Sequence, residues 1–211
     1  MDTQNLNTTA VQTEEVEAAV DKLRLAIFAS GSGSNFEALA VACQSGEIDG
    51  DVAVMVCDKP GAKVIERAER LGIKTLVLSP KNFASKREYE LAILEVLEAE
   101  HVELICLAGY MRIITDVLLE AYPERIVNVH PSLLPAFKGA HAIEQALEYG
   151  VKFFGVSIHY VTSELDGGSI IDQEAFRYEG RSVEELEEMV HKVEHPLYIR
   201  SVKNLVEILN K

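Results

Sequence analysis

Short apolar runs alternate with amphipathic segments from Leu23 to about residue 129, and this alternation most constrains the fold. The runs are rich in branched residues and bounded by turn residues, which is typical of buried strands. Strand–helix alternation predicts parallel strands with right-handed crossovers, flanked by helices. The predicted strands are residues 23–29, 52–57, 75–78, 104–108 and 125–129, and the predicted helices are residues 35–44, 62–71 and 85–100.

The pattern changes after residue 150. Residues 154–162 and 170–177 predict two strands joined by a turn at 165–168, which indicates an antiparallel hairpin. A capping box at Ser182 predicts a last helix to about residue 208, where Pro196 can introduce a kink. The predicted class is therefore α/β, with a Rossmann-like, mostly parallel twisted sheet flanked by helices and an antiparallel C-terminal hairpin.

Residues 1–21 differ from the rest because they are polar and acidic, with no early apolar periodicity. Such a segment cannot bury enough apolar surface to fold, so we expect a disordered extension. We expect residues 22–211 to form a single domain, since their length allows a sizeable core.

The net charge of −14 argues against nucleic acid or a membrane as the main partner, because both are anionic. A small anionic substrate stays compatible, since one pocket can be locally positive. The three cysteines lie in apolar segments without a framework spacing, which is typical of reduced thiols in the cytosol. The chain has neither an apolar run long enough to span a bilayer nor a signal-peptide pattern. We therefore expect a cytoplasmic protein.

Asn128 and His130 end the fifth predicted strand, where Pro131 stops the ladder because it has no N–H group. Two residues apart on a strand, their side chains point to the same face. Open α/β sheets bind ligands at the carboxyl ends of their strands. An imidazole that moves a proton, beside an amide that binds an oxyanion, suits acyl transfer. Turn residues satisfied by local backbone are the alternative.

Small polar residues fill the loop after the first strand, with the sequence SGSGSN at residues 30–35. Backbone N–H groups of such a loop can bind phosphate at a helix N-terminus. The dinucleotide fingerprint needs a third glycine where Phe36 stands, although Asp58 occupies the place of a ribose-binding acid. A terminal phosphate fits better than a dinucleotide. A tight turn with Asn35 as helix cap is the alternative.

Asp166 precedes two glycines in the predicted hairpin turn, although Asp-Gly is by itself a common hairpin dipeptide. The preceding strand carries Ser157 and His159, so polar groups converge there. A carboxylate near His130 would stabilise its imidazolium, which makes Asn128, His130 and Asp166 an acid–base set without a metal. The histidine spacings match no common zinc pattern, so we expect no metal.

Two further segments predict contacts to a substrate. Lys86 and Arg87 begin a helix, where cations are unfavourable unless they serve an anion, so we expect one of them to contact phosphate. Residues 109–114 stay apolar beyond the fourth strand, which suits either a buried connection or an apolar wall for a flat heterocycle.

Four motifs, in this order and spacing, resemble those of the folate-dependent glycinamide ribonucleotide transformylases, also called phosphoribosylglycinamide formyltransferases. The motifs are SGSGSN at residues 30–35, LAGYMRI at 107–113, NVHPSLLP at 128–135 and ELDGG at 164–168. The resemblance covers about residues 23–209. It implies the formyltransferase fold and transfer of a formyl group from 10-formyltetrahydrofolate, the cosubstrate, to the amine of glycinamide ribonucleotide in purine synthesis.

The resemblance also implies roles for residues of this chain. The implied catalytic residues are Asn128, His130 and Asp166, the implied ribonucleotide contacts are Gly33, Ser34, Asn35 and Glu194, and the implied folate contacts are Lys86, Met111, Arg112, Ile113, Ile114 and Asn128, with the loop 161–166. Relatives commonly carry arginine at the position of Lys86, and lysine lacks its bidentate fork. The partners expected are these two small molecules, with the protein a monomer or homodimer.

Other functions share parts of the pattern. A methionyl-tRNA formyltransferase would need a further C-terminal domain and basic contacts to tRNA, which the charge disfavours. A formyltetrahydrofolate hydrolase usually carries an N-terminal regulatory domain. A nucleotide-sensing or NAD-binding module is the alternative outside catalysis, and Phe36 argues against NAD.

Overall fold

The computed structural model describes residues 22–211, so the predicted extension at 1–21 lies outside the described residues and the domain division stays a prediction. These residues form a seven-stranded sheet in the order β3-β2-β1-β4-β5-β6-β7. The strands are β1 (Leu23–Ala29), β2 (Gly50–Cys57), β3 (Thr75–Val77), β4 (Leu104–Leu107), β5 (Ile126–His130), β6 (Phe153–Tyr160) and β7 (Ile170–Arg177). The helices are α1 (Ser34–Gln44), α2 (Lys63–Arg70), α3 (Lys86–Ala99), α4 (Asp116–Ala121), α5 (Ala142–Tyr149) and α6 (Val183–Leu209), with a short 3₁₀ helix at Pro80–Asn82.

Strands β1 to β5 pair in parallel, whereas β6 is antiparallel to β5 and β7 is antiparallel to β6. This arrangement confirms the predicted α/β class with its C-terminal hairpin. The predicted N-cap is also confirmed, because the Ser182 hydroxyl accepts from the backbone N–H of Glu185, but the other half of the capping box is not formed, since the Ser182 N–H donates to the Tyr178 hydroxyl. Helix α6 contains Pro196 within one continuous element. None of the helices in the described part of the chain is long and apolar enough to cross a membrane.

Helices α4 and α5 were not predicted, and both are short. Helix α4 has six residues, and its N-cap residue Thr115 makes no side-chain capping bond. Helix α5 follows His141, which is left-handed with φ of 61° and also makes no such bond. Although Thr115 and Asp116 could begin a helix, six and eight residues are too few to give a clear helical period.

The two faces of the sheet pack against different helices. Alternate residues of β1 take part in two separate clusters: Leu25 and Ile27 pack in the cluster that contains α1, α2 and α6, whereas Ala26 and Phe28 pack in the one that contains α3 and α4. Because a strand exposes successive side chains on opposite faces, this burial requires apolar residues at every position from Leu25 to Ala29. The continuous apolar run of β1 follows from that requirement.

The strand order reverses between β1 and β4, since the chain adds β2 on one side of β1 and β4 on the other. At such a point the loops that follow the two strands separate and leave a crevice at their carboxyl ends. The loop at 30–33 follows β1, residues 108–115 follow β4, and Asn128 and His130 end β5 next to it. The motifs found in the sequence therefore converge on one edge of the sheet.

The hydroxyl of Tyr198 joins α6 to the centre of the sheet. Its side chain is buried, and it donates to the carbonyl of Leu107 at 3.0 Å, with the carbonyl of Val127 3.4 Å away. Those carbonyls belong to β4 and β5. Because Glu194 lies one helical turn before Tyr198, this contact also helps to place Glu194.

We expect Tyr198→Phe to lower the free energy of unfolding by about 1–2 kcal/mol, because a buried carbonyl loses its donor. Urea denaturation followed by circular dichroism measures the change. Tyr149→Phe is the matched control, since Tyr149 is 80% exposed and its loss of a hydroxyl should have little effect. Equal stability of Tyr198→Phe and the unmodified protein would contradict the assigned role.

Candidate functional site

Asn128, His130 and Asp166 lie together at the carboxyl end of β5. Nδ1 of His130 is 3.6 Å from one carboxylate oxygen of Asp166, and Nε2 of His159 is 3.6 Å from the other. The amide nitrogen of Asn128 lies 3.1 Å from Nε2 of His159. The side chains of His130 and Asp166 are more than nine-tenths buried. One carboxylate therefore faces two imidazoles in a setting where water screens their interaction weakly.

Backbone groups of the segment between β5 and α5 complete this cluster. Nε2 of His130 lies 2.9 Å from the carbonyl of Phe137, and the N–H of Gly139 donates to Asp166 at 2.7 Å. Phe137 and Gly139 both have positive φ, at 52° and 83°, so the segment turns sharply enough to direct both groups inward. These contacts could not be predicted from the sequence, because they involve main-chain atoms. The identity of a residue does not reveal where its N–H or carbonyl group points.

His159 is held in one neutral form by its two neighbours. Its Nδ1 donates to the carbonyl of Tyr160 at 2.8 Å, so its Nε2 accepts from the Asn128 amide. Burial lowers the pKa of His159 below the ordinary histidine value, and it outweighs the opposite effects of the Tyr160 carbonyl and of Asp166. Asn128 is thereby oriented with one N–H engaged and the other N–H and its oxygen available.

The turn that carries Asp166 depends on glycine. Asp166 is itself left-handed, with φ of 47°. A Cβ atom at Gly168 would lie 1.8 Å from the carbonyl oxygen of Tyr160, so no larger residue fits there without moving the backbone. The Asp-Gly-Gly sequence thus brings the carboxylate of Asp166 over the end of β5.

The small polar loop at residues 30–35, called the glycine loop below, leads directly into α1. Gly33 is the N-cap residue, with φ of 77°, and a Cβ atom there would lie 2.5 Å from the Val64 side chain. Asn35 does not cap the helix, so that part of the alternative is wrong. Its amide nitrogen instead donates to the Glu194 carboxylate at 3.0 Å. The structure therefore brings Gly33, Ser34, Asn35 and Glu194 together at the start of α1.

Arg67 supports this loop from α2, a contact that the sequence analysis missed. Its Nε donates to the carbonyl of Ser32 at 2.8 Å, and its guanidinium also pairs with Glu37. The loop is therefore attached to α2 as well as to α1, which limits how far its backbone N–H groups can move.

A cavity of about 460 Å³ lies between α3 and the segment that follows β4. Its walls include Lys86, Met111, Arg112 and Ile113, and its other lining residues are Pro80, Phe83, Ala84, Ser85, Tyr89 and Glu90. Met111 and Ile113 are 76% and 62% exposed, which fits an open apolar wall and not a buried connection. Ile114 is different, because its side chain is buried in the core. Only its backbone is left to contact a ligand.

Lys86 lines this cavity with Met111 to Ile113, and no residue of the glycine loop lines it with them. The expected phosphate contact from the start of α3 is therefore directed to a different region from the glycine loop. Among residues 22–211, no group of three or more histidine, cysteine, aspartate or glutamate side chains is arranged to hold a metal ion.

Comparisons with known proteins agree on one family. The family described as formyl transferase matches residues 23–202. A phosphoribosylglycinamide formyltransferase of Bacillus subtilis is 47% identical over 189 residues, which cover 89% of this chain and 97% of the relative. A crystal structure of glycinamide ribonucleotide transformylase 1 from Geobacillus kaustophilus superposes with a TM-score of 0.86 at 48% identity, covering 88% of this chain and 99% of that one. The corresponding structure from Symbiobacterium toebii has a TM-score of 0.88 at 40% identity, with 93% of each chain covered.

The lowered pKa of His159 predicts that stability falls as the solution becomes acidic. At a pH below the ordinary histidine pKa of 6.5, His159 is protonated in the unfolded chain but stays neutral in the folded chain. The free energy of unfolding therefore decreases as the pH falls, until the pH passes the lowered pKa of His159 in the folded chain. Between about pH 7 and about pH 5, we expect the melting temperature to fall less in His159→Gln than in the unmodified protein. Glutamine at this position keeps an acceptor for Asn128. Burial also lowers the pKa of His195, but that contribution is common to both proteins. If the melting temperatures of the two proteins fell equally with pH, His159 would not be the cause of the acid destabilisation.

Proposed function

The chain belongs to the formyl transferase family, and we infer from this membership that it transfers the formyl group of 10-formyltetrahydrofolate to the amine of glycinamide ribonucleotide. The products are formylglycinamide ribonucleotide and tetrahydrofolate, in purine synthesis. The observation that carries this conclusion is the buried cluster of Asn128, His130 and Asp166 at the end of β5. It lies at the same edge of the sheet as a phosphate-type glycine loop and an open apolar cavity.

The start of α1 is the proposed site of the ribonucleotide. Backbone N–H groups of Gly33, Ser34 and Asn35 would bind the phosphate, aided by the positive end of the helix dipole. Glu194 is a carboxylate and accepts hydrogen bonds, so it would contact hydroxyl or amine groups of the ribonucleotide and not the phosphate. Its bond to Asn35 holds the carboxylate beside the loop.

The cavity beside α3 is the proposed site of the folate. The exposed side chains of Met111 and Ile113 would pack against its flat ring, while the backbone of residues 112–114 would bind the polar ring edge. Lys86 would attract the carboxylates of the glutamate part of the folate as a point charge, without the fork of an arginine. Asn128 would contact the formyl end of the folate from β5.

The proposed mechanism begins when the substrate amine attacks the formyl carbon and forms a tetrahedral oxyanion. The free N–H of the Asn128 amide and a protonated His130 stabilise this charge. In the protein without substrate, Nδ1 of His130 faces Asp166 and Nε2 faces the Phe137 carbonyl, so the Nε2–H would have to leave that carbonyl to reach the oxyanion or N10. A proton then passes to N10 of the folate through His130 or water, and the carbon–nitrogen bond to N10 breaks. We assign no step to a metal, because this set supplies both proton transfer and oxyanion stabilisation.

We expect the purified protein to turn over only when 10-formyltetrahydrofolate and glycinamide ribonucleotide are both present, measured by folate absorbance. Loss of formylfolate without the ribonucleotide would indicate a hydrolase. Absence of turnover with both substrates would contradict the proposed reaction and favour another acceptor or a binding module.

We expect Asn128→Ala and His130→Ala each to lower kcat by about 10² or more, since each loses a group that stabilises the oxyanion. Steady-state kinetics with both substrates measures this loss, and unchanged thermal denaturation excludes unfolding as its cause. Asn204→Ala is the control, because Asn204 is exposed on α6. Near-normal turnover in either active-site variant would contradict its assignment.

A further inference from the structure

A single ion pair connects the end of β2 with the wall of the proposed folate cavity. Asp58 directly follows β2, and its carboxylate accepts from Nε of Arg112 at 2.7 Å. The two partners differ in environment, since the side chain of Asp58 is 5% exposed and that of Arg112 is 50% exposed. Asp58 is therefore an anchor inside the protein, whereas Arg112 reaches outward along the cavity.

The segment from Gly109 to Thr115 is attached mainly at its two ends. The carbonyl of Gly109 accepts from the N–H of Ser30, and the N–H of Met111 donates to the Ser30 hydroxyl at 2.8 Å. At the other end, the N–H and the hydroxyl of Thr115 both donate to Glu90. Between these ends, Tyr110 is buried against Phe28 with its hydroxyl on that of Tyr89, and Ile114 is buried. Arg112 lies between those two residues, and its side chain is held by the ion pair with Asp58.

Asp58 does not itself line the cavity, whereas Met111, Arg112 and Ile113 do. Asp58 therefore has no direct contact with a ligand in the cavity, and its hydrogen bond to Arg112 links it to the wall. Exposed ion pairs contribute little to binding or stability because water competes for both groups. This pair has one buried member, and removing the partner of a buried charge has larger consequences.

We propose that Asp58 is a positioning residue for the folate, which holds Arg112 and thereby the wall formed by Met111 and Ile113 in the geometry that binds the ring. This inference rests on the proposed folate site and adds a residue that the sequence analysis had considered only as a ribose-binding acid. Without the bond to Asp58, residues 111–113 would sample several conformations. Folate would bind only one of them, which lowers its apparent affinity.

A simple electrostatic role for Asp58 predicts the opposite result. If Asp58 only neutralised Arg112, its removal would leave an unpaired cation beside the cavity. The anionic folate would then bind more tightly. The direction of the change in folate affinity therefore distinguishes positioning from neutralisation.

The test compares Asp58→Asn, Arg112→Lys, Arg112→Gln and the double variant Asp58→Asn/Arg112→Gln in the full chain. Arg112→Lys keeps the positive charge but loses the Nε donor, so it tests the pair from the exposed side, where folding is less affected. Asp172→Asn is the matched control, since Asp172 accepts from Nε of Arg200 at 2.9 Å and Arg200 is also 50% exposed. The measurements are KM for each substrate, kcat, and the Kd of tetrahydrofolate by isothermal titration calorimetry.

We expect Asp58→Asn and Arg112→Lys each to raise the folate KM and the tetrahydrofolate Kd by about tenfold, a size common for contacting charged residues. The KM for the ribonucleotide and kcat should stay within about twofold in Asp58→Asn, because only the folate wall has moved. The double variant should bind folate no more weakly than Arg112→Gln alone, and Asp172→Asn should match the unmodified protein.

Tighter or unchanged folate binding in Asp58→Asn would overturn the inference, as would multiplicative losses in the double variant. The inference would also be overturned if the unmodified protein did not bind tetrahydrofolate. If the unmodified protein fails to turn over, the proposed reaction is wrong, whereas the titrations still decide whether Asp58 positions a folate wall.

Discussion

Parallel pairing of β1 with both β2 and β4 is the constraint on which the rest of the structure depends. Because the strand order reverses there, the loops after β1 and β4 diverge and leave a crevice at one edge of the sheet. The glycine loop, the apolar wall at 111–113 and the Asn-x-His strand end all border this edge. Both faces of β1 are buried, so a ligand can reach this strand only at its ends, and the crevice lies at the carboxyl end.

The site also depends on one carboxylate shared by two histidines. Asp166 lies 3.6 Å from both His130 and His159, but their other contacts differ. His159 is kept neutral by burial and uses its second nitrogen to orient Asn128. His130 instead has a possible acceptor beside each of its ring nitrogens, the Phe137 carbonyl and Asp166. Two chemically identical side chains thus have different hydrogen-bond partners, which is the basis for the different roles proposed for them.

Most of the fold was predictable from the sequence, because buried strands and capped helices have strong local patterns. Strand β7 has the predicted bounds, and β5 is shifted by one residue at each end, so that it includes His130. The failures were α4 and α5, which lack caps, and the segment at 136–141, whose function lies in main-chain groups. Asn35 shows a different limit, since a good capping residue is used here for a contact with Glu194.

The sequence by itself determined which chemical groups end each strand: Asn128 and His130 two residues apart, Asp166 in a glycine turn, and a glycine loop before α1. Local rules suffice for these features, because they depend on backbone geometry over a few residues. Only the tertiary structure decided the partners, such as Asn35 with Glu194, 159 residues apart, and Asp58 with Arg112, 54 residues apart. Contacts between distant segments arise from how the sheet and helices pack, and no local pattern encodes them.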